Sequence, residues 1–161
     1  MRWGKVGVEA LLVGSLVCGC TGGLDPTQLP REAMIRGIVS FRGAWPPVDS
    51  LRDLRVVAFQ QYPPKDVLGE VLGGRAIFSE RLPFYVEQTP YELTVEQVPV
   101  MFRYLIVAQQ YGPDLFRHWR VVGVYSSRDT QPDSIWVEPG GVYPNVDIVV
   151  DFDHLPPQPF E

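Results

Sequence analysis

The chain has 161 residues, 45% of them hydrophobic and 20% charged, and a formal net charge of −5. That size and apolar content fit one folded domain and exclude a disordered chain, and no apolar run reaches the roughly 20 residues of a membrane-spanning helix. The 15 glycines and 16 prolines follow no period, which argues against a helical bundle and for short elements joined by turns.

At the start of the chain, Arg2 and Lys5 precede an apolar stretch at 10–17 (ALLVGSLV), and Val17-Cys18-Gly19-Cys20 leads into a polar, glycine-rich segment. A basic head, a short apolar core and small residues before a break are the parts of a secretory signal. With its cysteine at the junction, the segment resembles the signal of bacterial lipoproteins. The resemblance implies removal of residues 1–19, a lipid on Cys20 and, from Thr21 in place of Asp, an outer-membrane address in the cell envelope. An ordinary cleaved signal and a periplasmic or secreted domain are the alternative. Both cysteines sit at this junction, so residues 21–161 can form no disulfide, no Cys-based zinc site and no thiol nucleophile. Loss of 1–19 removes Arg2, Lys5 and Glu9 and makes the net charge of −5 one unit more negative. An acidic balance opposes nucleic-acid binding and polybasic attachment to lipid, so membrane contact would come through the lipid on Cys20.

Residues 20–31 read as the lipidated Cys and a flexible tether, 32–154 as the folded domain, and 155–161 (LPPQPFE) as an extended proline-rich tail. Within the domain, strands are expected at 35–41, 54–59, 91–97, 100–109, 119–125, 135–137 and 146–152, with a weaker one at 75–79. Ile35, Val39 and Phe41 share one face. Residues 54–59 (LRVVAF) are nearly continuously apolar, as in a strand covered on both sides. Tyr91, Leu93 and Val95 alternate with Glu92, Thr94 and Glu96, and Ile148, Val150 and Phe152 point inward between Asp147 and Asp151. Proline and glycine fall between the runs, as turns require. The helical candidates are turns near 48–53 and 113–117, too short to cover a parallel sheet. Seven or eight strands without crossover helices predict an all-β fold, an antiparallel Greek-key β-sandwich.

The opening I-R-G-x-V strand, the LRVVAF strand, Tyr91-Glu92-Leu93 and the following Tyr104-Leu105-Ile106-Val107 are similar to transthyretin-like or carboxypeptidase-regulatory-like sandwich modules (prealbumin-like, Ig-like). That resemblance spans 34–152. It implies a structural or binding accessory, with no residue roles to carry over.

Several clusters invite chemistry. Asp147, Asp151, Asp153 and His154 place oxygens near the last strand, where calcium is conceivable, but alternate strand residues spread rather than converge. They read instead as a solvated face that discourages edge pairing. His118 and His154 are the only histidines, and nothing in the sequence brings them together, so no metal site is expected. Ser126, Ser127 and Ser134 beside acids read as turns, and no G-x-S-x-G elbow or phosphate-cradling loop occurs. Aromatics stay open: Phe116 and six Trp and Tyr residues lie near strand ends and loops, and the six, Trp45, Tyr62, Tyr111, Trp119, Trp136 and Tyr143, form a candidate binding rim for sugar rings or a partner surface, or else they are sandwich filling.

These features lead to a non-enzymatic, lipid-anchored envelope module with a structural or ligand-binding role and no cofactor. The partners expected are the membrane and a glycan or envelope protein, not nucleic acid. The alternatives are an assembly or transport accessory docking a partner through an exposed strand or the tail, and a glycan hydrolase, for which no acid pair stands out.

Overall fold

Alternation of apolar and polar residues builds the first long strand, β1 (Ala33–Arg42), which buries Ile35, Val39 and Phe41 on one face. This computed structural model describes residues 32–128 and 131–159. The expected signal, Cys20 and the tether lie outside the described residues.

Nine further strands follow: β2 (Asp53–Phe59), β3 (Ala76–Phe78), β4 (Gln88–Val95), β5 (Val100–Phe102), β6 (Tyr104–Gln110), β7 (Trp119–Val124), β8 (Ile135–Val137), β9 (Val142–Tyr143) and β10 (Ile148–Asp151). A 3₁₀ turn (Val48–Ser50) and one helix, α1 (Val67–Leu72), complete the elements among the described residues. Eight strands form one curled sheet in the order β3-β2-β6-β7-β10-β1-β4, with β9 also paired to β1, while β5 and β8 form a separate two-stranded sheet. The curl encloses the main core, where Ile35, Val39, Leu54, Val56, Leu93, Leu105, Val107, Val122, Ile148 and Val150 meet.

The all-β expectation holds, but the sheet is mixed where a wholly antiparallel one was expected. β1 runs antiparallel to β4 yet parallel to both β10 and β9. A parallel neighbour needs a long connection, not a helix as such. Here β1 and its parallel partners are more than a hundred residues apart in sequence, so the intervening sheet itself makes the crossover. The strand expected at 100–109 is also two strands. Arg103 is exposed at the break, and the chain passes there from the small sheet to the large one.

β9 and β10 behave as one strand interrupted beside β1. Asn145 takes a positive φ of 62° in the break. The Val146 N–H bonds the Arg36 carbonyl (3.0 Å), the Tyr91 hydroxyl donates to the Val146 carbonyl (2.6 Å), and Asp147 Oδ1 accepts the Ile38 N–H (2.8 Å). The backbones approach so closely that a Cβ on Gly37 would collide with the Val146 carbonyl. Burial, more than the nearby Asp147 and Tyr125, holds the Tyr91 phenol well above its ordinary pKa.

The described part of the proline-rich tail meets the start of β7 through Gln158. Gln158 accepts the Val121 N–H (2.8 Å) and donates to the Val121 carbonyl (3.0 Å), so one side-chain amide stands in for a neighbouring strand. β10 pairs with β7 only at Val150 and Gly123, and Gln158 covers part of the edge that β10 leaves.

Candidate functional site

β2 and β6 are apolar on both faces. Leu54, Val56, Ala58, Leu105 and Val107 enter the main core, whereas Val57, Phe59, Tyr104, Ile106 and Ala108 face outward with Val121 into a second cluster. Register sets them in rows: Arg55 lies opposite Ala108, Val57 opposite Ile106, and Phe59 opposite Tyr104. Over this outer face lies a groove of about 550 Å³, within the range of small-molecule sites. Val57, Phe59, Ile106, Ala108 and Val121 contribute to its floor. Val67 and Val71 of α1 line it, as do Phe78, Leu115, Phe116, Arg117 and Trp119.

Each wall has a local cause. Asp66 caps α1 by accepting the Gly69 N–H (3.0 Å), and the helix ends at Gly73-Gly74, where Gly74 takes φ of 68°. The opposite wall is a turn fixed by Asp114. Its Oδ1 accepts the Phe116 N–H (2.8 Å) and the Arg117 N–H (3.2 Å), while its own N–H donates to His118 Nδ1 (3.1 Å). The Phe116 N–H does most to hold the Asp114 carboxyl below its ordinary pKa, against the opposing effect of burial, with further help from Arg117 and His118. Trp119 Nε1 donates to the Leu115 carbonyl (2.9 Å) and ties the turn to β7. Phe116, Leu115 and Phe78 remain 71%, 65% and 55% exposed, an unusual amount of large apolar surface around one depression.

The groove's lining includes Arg55, Arg117 and Arg120 and no carboxylate. Arg55 bonds Asp53 (2.9 Å) and the Ser79 carbonyl (3.0 Å) and lies 5.7 Å from the Phe78 ring centroid. Asp53 is shared, since Arg81 also bonds it at 3.2 Å. Arg120 donates to Gln109 Oε1 (3.0 Å), and its guanidinium lies 5.9 Å from the Tyr111 ring.

The six aromatics expected at a rim scatter. Only Trp119 lines the groove; Tyr111 stands at its margin under Arg120. Tyr62 packs tilted against Tyr104 (ring centroids 4.7 Å), at the end of β6 opposite Tyr111. Trp45 follows β1 and packs on Phe41, Tyr85 and Phe152, whereas Tyr143 pairs at the other end of β1, with its hydroxyl accepting the Glu138 N–H. Trp136 lies on β8 in the small sheet, 49% exposed. Among the described residues, none of the six stacks on another.

The acidic cluster has structural work. Asp147 serves β1, Asp153 Oδ1 accepts the Ala44 N–H (3.2 Å), and Asp151 accepts the Asp153 N–H (3.0 Å) beside His154. No group of three metal-ligating side chains occurs among the described residues. Ser126 bonds the Arg128 and Gln131 carbonyls, and the Ser127 N–H meets Asp133, which closes a turn. The expectation that 54–59 is covered on both sides holds, since Val57 and Phe59 are buried; the groove is not evident in the sequence because α1 and the exposed lip around these residues have no periodic pattern. The available signal was Asp66, followed at 69–70 by the cap target and Glu70, and the Gly73-Gly74 stop. No protein-family model matches this chain, and neither a curated protein nor a solved structure was found to be similar to it.

Proposed function

We propose that this domain is a non-catalytic binding module of the cell envelope, tethered by a lipid on Cys20, and that its site is the outer groove of β2, β6 and β7. The observation that carries this is an apolar depression of about 550 Å³ ringed by exposed Phe78, Leu115 and Phe116. Apolar surface left open in a folded domain costs hydration free energy that a bound apolar ligand recovers. Arg55, Arg120 and Asp114 are engaged in holding its walls, an arrangement suited to binding. The resemblance to sandwich accessory modules and the lipoprotein-like signal are in keeping with this role.

The test is fluorescence titration with the uncharged apolar dye N-phenyl-1-naphthylamine. Saturable binding at one site, weakened by Phe116→Asp at the exposed lip, is expected. A dye signal that never saturates, or one indifferent to Phe116→Asp and to Val71→Asp, refutes the groove. Anchoring is tested separately by intact mass of membrane-extracted protein, where a lipid-sized increase beginning at Cys20 should vanish in Cys20→Ala.

A further inference from the structure

We propose that the groove's ligand is a single-chain amphiphile with a carboxylate head, its chain lying along β2 and its head at the Arg55–Arg117 end. This rests on the groove being a binding site, as argued above, and adds the ligand's chemistry. The outward residues of β2 in the lining run from Arg55 through Val57 to Phe59, about 14 Å at the rise of an extended strand; Val57 and Phe59 are themselves buried, so the ligand chain would lie over them against exposed Phe78, Leu115 and Phe116. One end of this row is cationic and the other aromatic and aliphatic. A medium-length acyl chain matches both the span and the apolar floor.

Charge complementarity selects the head group. The chain is acidic, with net charge −5, yet the groove's lining carries three arginines and no acid. Asp53 divides itself between Arg55 and Arg81, and Arg120 is held by neutral Gln109, so neither pair has a carboxylate of its own for each guanidinium. Arg117 is exposed on the turn, with its backbone fixed by Asp114 and its side chain on the groove; the Asp114 carboxylate feels its charge, but the groove's lining holds no acid. Guanidiniums favour carboxylates by forked, charge-assisted hydrogen bonds.

The experiment uses the full chain carrying Cys20→Ala, purified without detergent, and titrates dodecanoate, dodecanol and dodecylamine by displacement of N-phenyl-1-naphthylamine. Dodecanoate should bind at one per chain and roughly tenfold or more tighter than dodecanol, with dodecylamine weakest. Arg117→Gln should remove most of that preference, lowering dodecanoate affinity far more than dodecanol affinity, and Arg117→Lys should restore part of it. Equal affinity for dodecanoate and dodecanol overturns the carboxylate inference and leaves the groove reading standing. Dye binding that no chain compound displaces overturns the amphiphile. Failure of the dye to bind at all removes both. A concentration-dependent dimer that Phe116→Asp abolishes, with no dodecanoate binding, assigns the face to a second copy and also overturns the proposal.

Discussion

Gly37→Ala tests the seam where β9 and β10 lie beside β1. A methyl group there would sit 2.5 Å from the Val146 carbonyl carbon and 2.9 Å from Tyr91 Cε1, so the backbone of the interrupted strand must move. Three hydrogen bonds depend on its place: Val146 N–H to Arg36, Tyr91 hydroxyl to Val146, and Ile38 N–H to Asp147. At about 1 kcal/mol net for each, their loss costs about 3 kcal/mol, and the reduced freedom of the unfolded chain returns about 0.5 kcal/mol. A net loss near 2.5 kcal/mol should lower Tm by about 10 °C in a domain of this size. Equilibrium urea unfolding of Gly37→Ala, Tyr91→Phe and the double variant measures it. Tyr91→Phe alone leaves the Val146 carbonyl without its hydroxyl partner and should cost about 1–2 kcal/mol. The double variant should fall short of the sum, because both changes act on Val146. A Gly37→Ala loss below about 0.5 kcal/mol, or strict additivity with Tyr91→Phe, would refute the tight seam.

Burial, aided by Asp147 and Tyr125 at Tyr91 and by Tyr62 at Tyr104, raises both phenols above their ordinary pKa, so the fold favours their neutral forms. That stability is intact below the unfolded phenol value of about 10 and falls above it by about 1.4 kcal/mol per pH unit for each tyrosine; urea midpoints should drop steeply there, with tyrosinate absorbance from this pair rising only on unfolding. Asp114→Ala frees the turn at Phe116 and Arg117 and should weaken dye binding several-fold. Because the Asp114 pKa is lowered, its contribution is present above the ordinary carboxylate value and is lost as pH falls through the folded value, so wild-type dye affinity should decline in acid and the variant's should not. Gln158→Ala should cost about 1 kcal/mol and speed hydrogen exchange at the Val121 amide, while Gln158→Glu, with no N–H for the Val121 carbonyl, should cost more.

Strand content was legible wherever one face is wet. The alternation of Tyr91, Leu93 and Val95 with Glu92 and Thr94 matches the burial of β4 residue by residue, as it does for Ile35, Val39 and Phe41 in β1. Pairing was not legible, because a strand's pattern records which face is buried and not which neighbour runs beside it. The parallel partnership of β1 with β10 is therefore invisible in either segment. Its one trace is Gly37, where a strand interior needs close backbone approach. Helix α1 was missed because six residues containing Gly69 show no period, although Asp66 and Gly73-Gly74 mark both ends. The rim aromatics failed to gather for a related reason: proximity to strand ends does not say which end.

The candidate site follows from a mismatch between demand and cover. β2 and β6 are seven-residue strands apolar on both faces, each about 23 Å long, so their outer faces require a second layer of similar length. The chain supplies a helix of six residues, about 9 Å, and the Asp114 turn. The two flank the outer face without closing it, and Phe78, Leu115 and Phe116 stay in water along the gap. The floor itself is already buried, so a longer cover would add only the burial of Phe78, Leu115 and Phe116, about 1.5–3 kcal/mol for each side chain fully covered. Keeping the gap apolar while placing Arg55 and Arg117 at one end makes sense if something with a matching anionic head completes the layer. On this view ligand and fold share one energetic term: dodecanoate should raise Tm with concentration, by about 2.7 kcal/mol of added stability at a hundredfold excess over its Kd, and dodecanol should do so only at correspondingly higher concentration. Thermal shift across both series reads this directly, and a Tm unmoved by dodecanoate at concentrations that displace the dye would place the dye's site outside the folded groove.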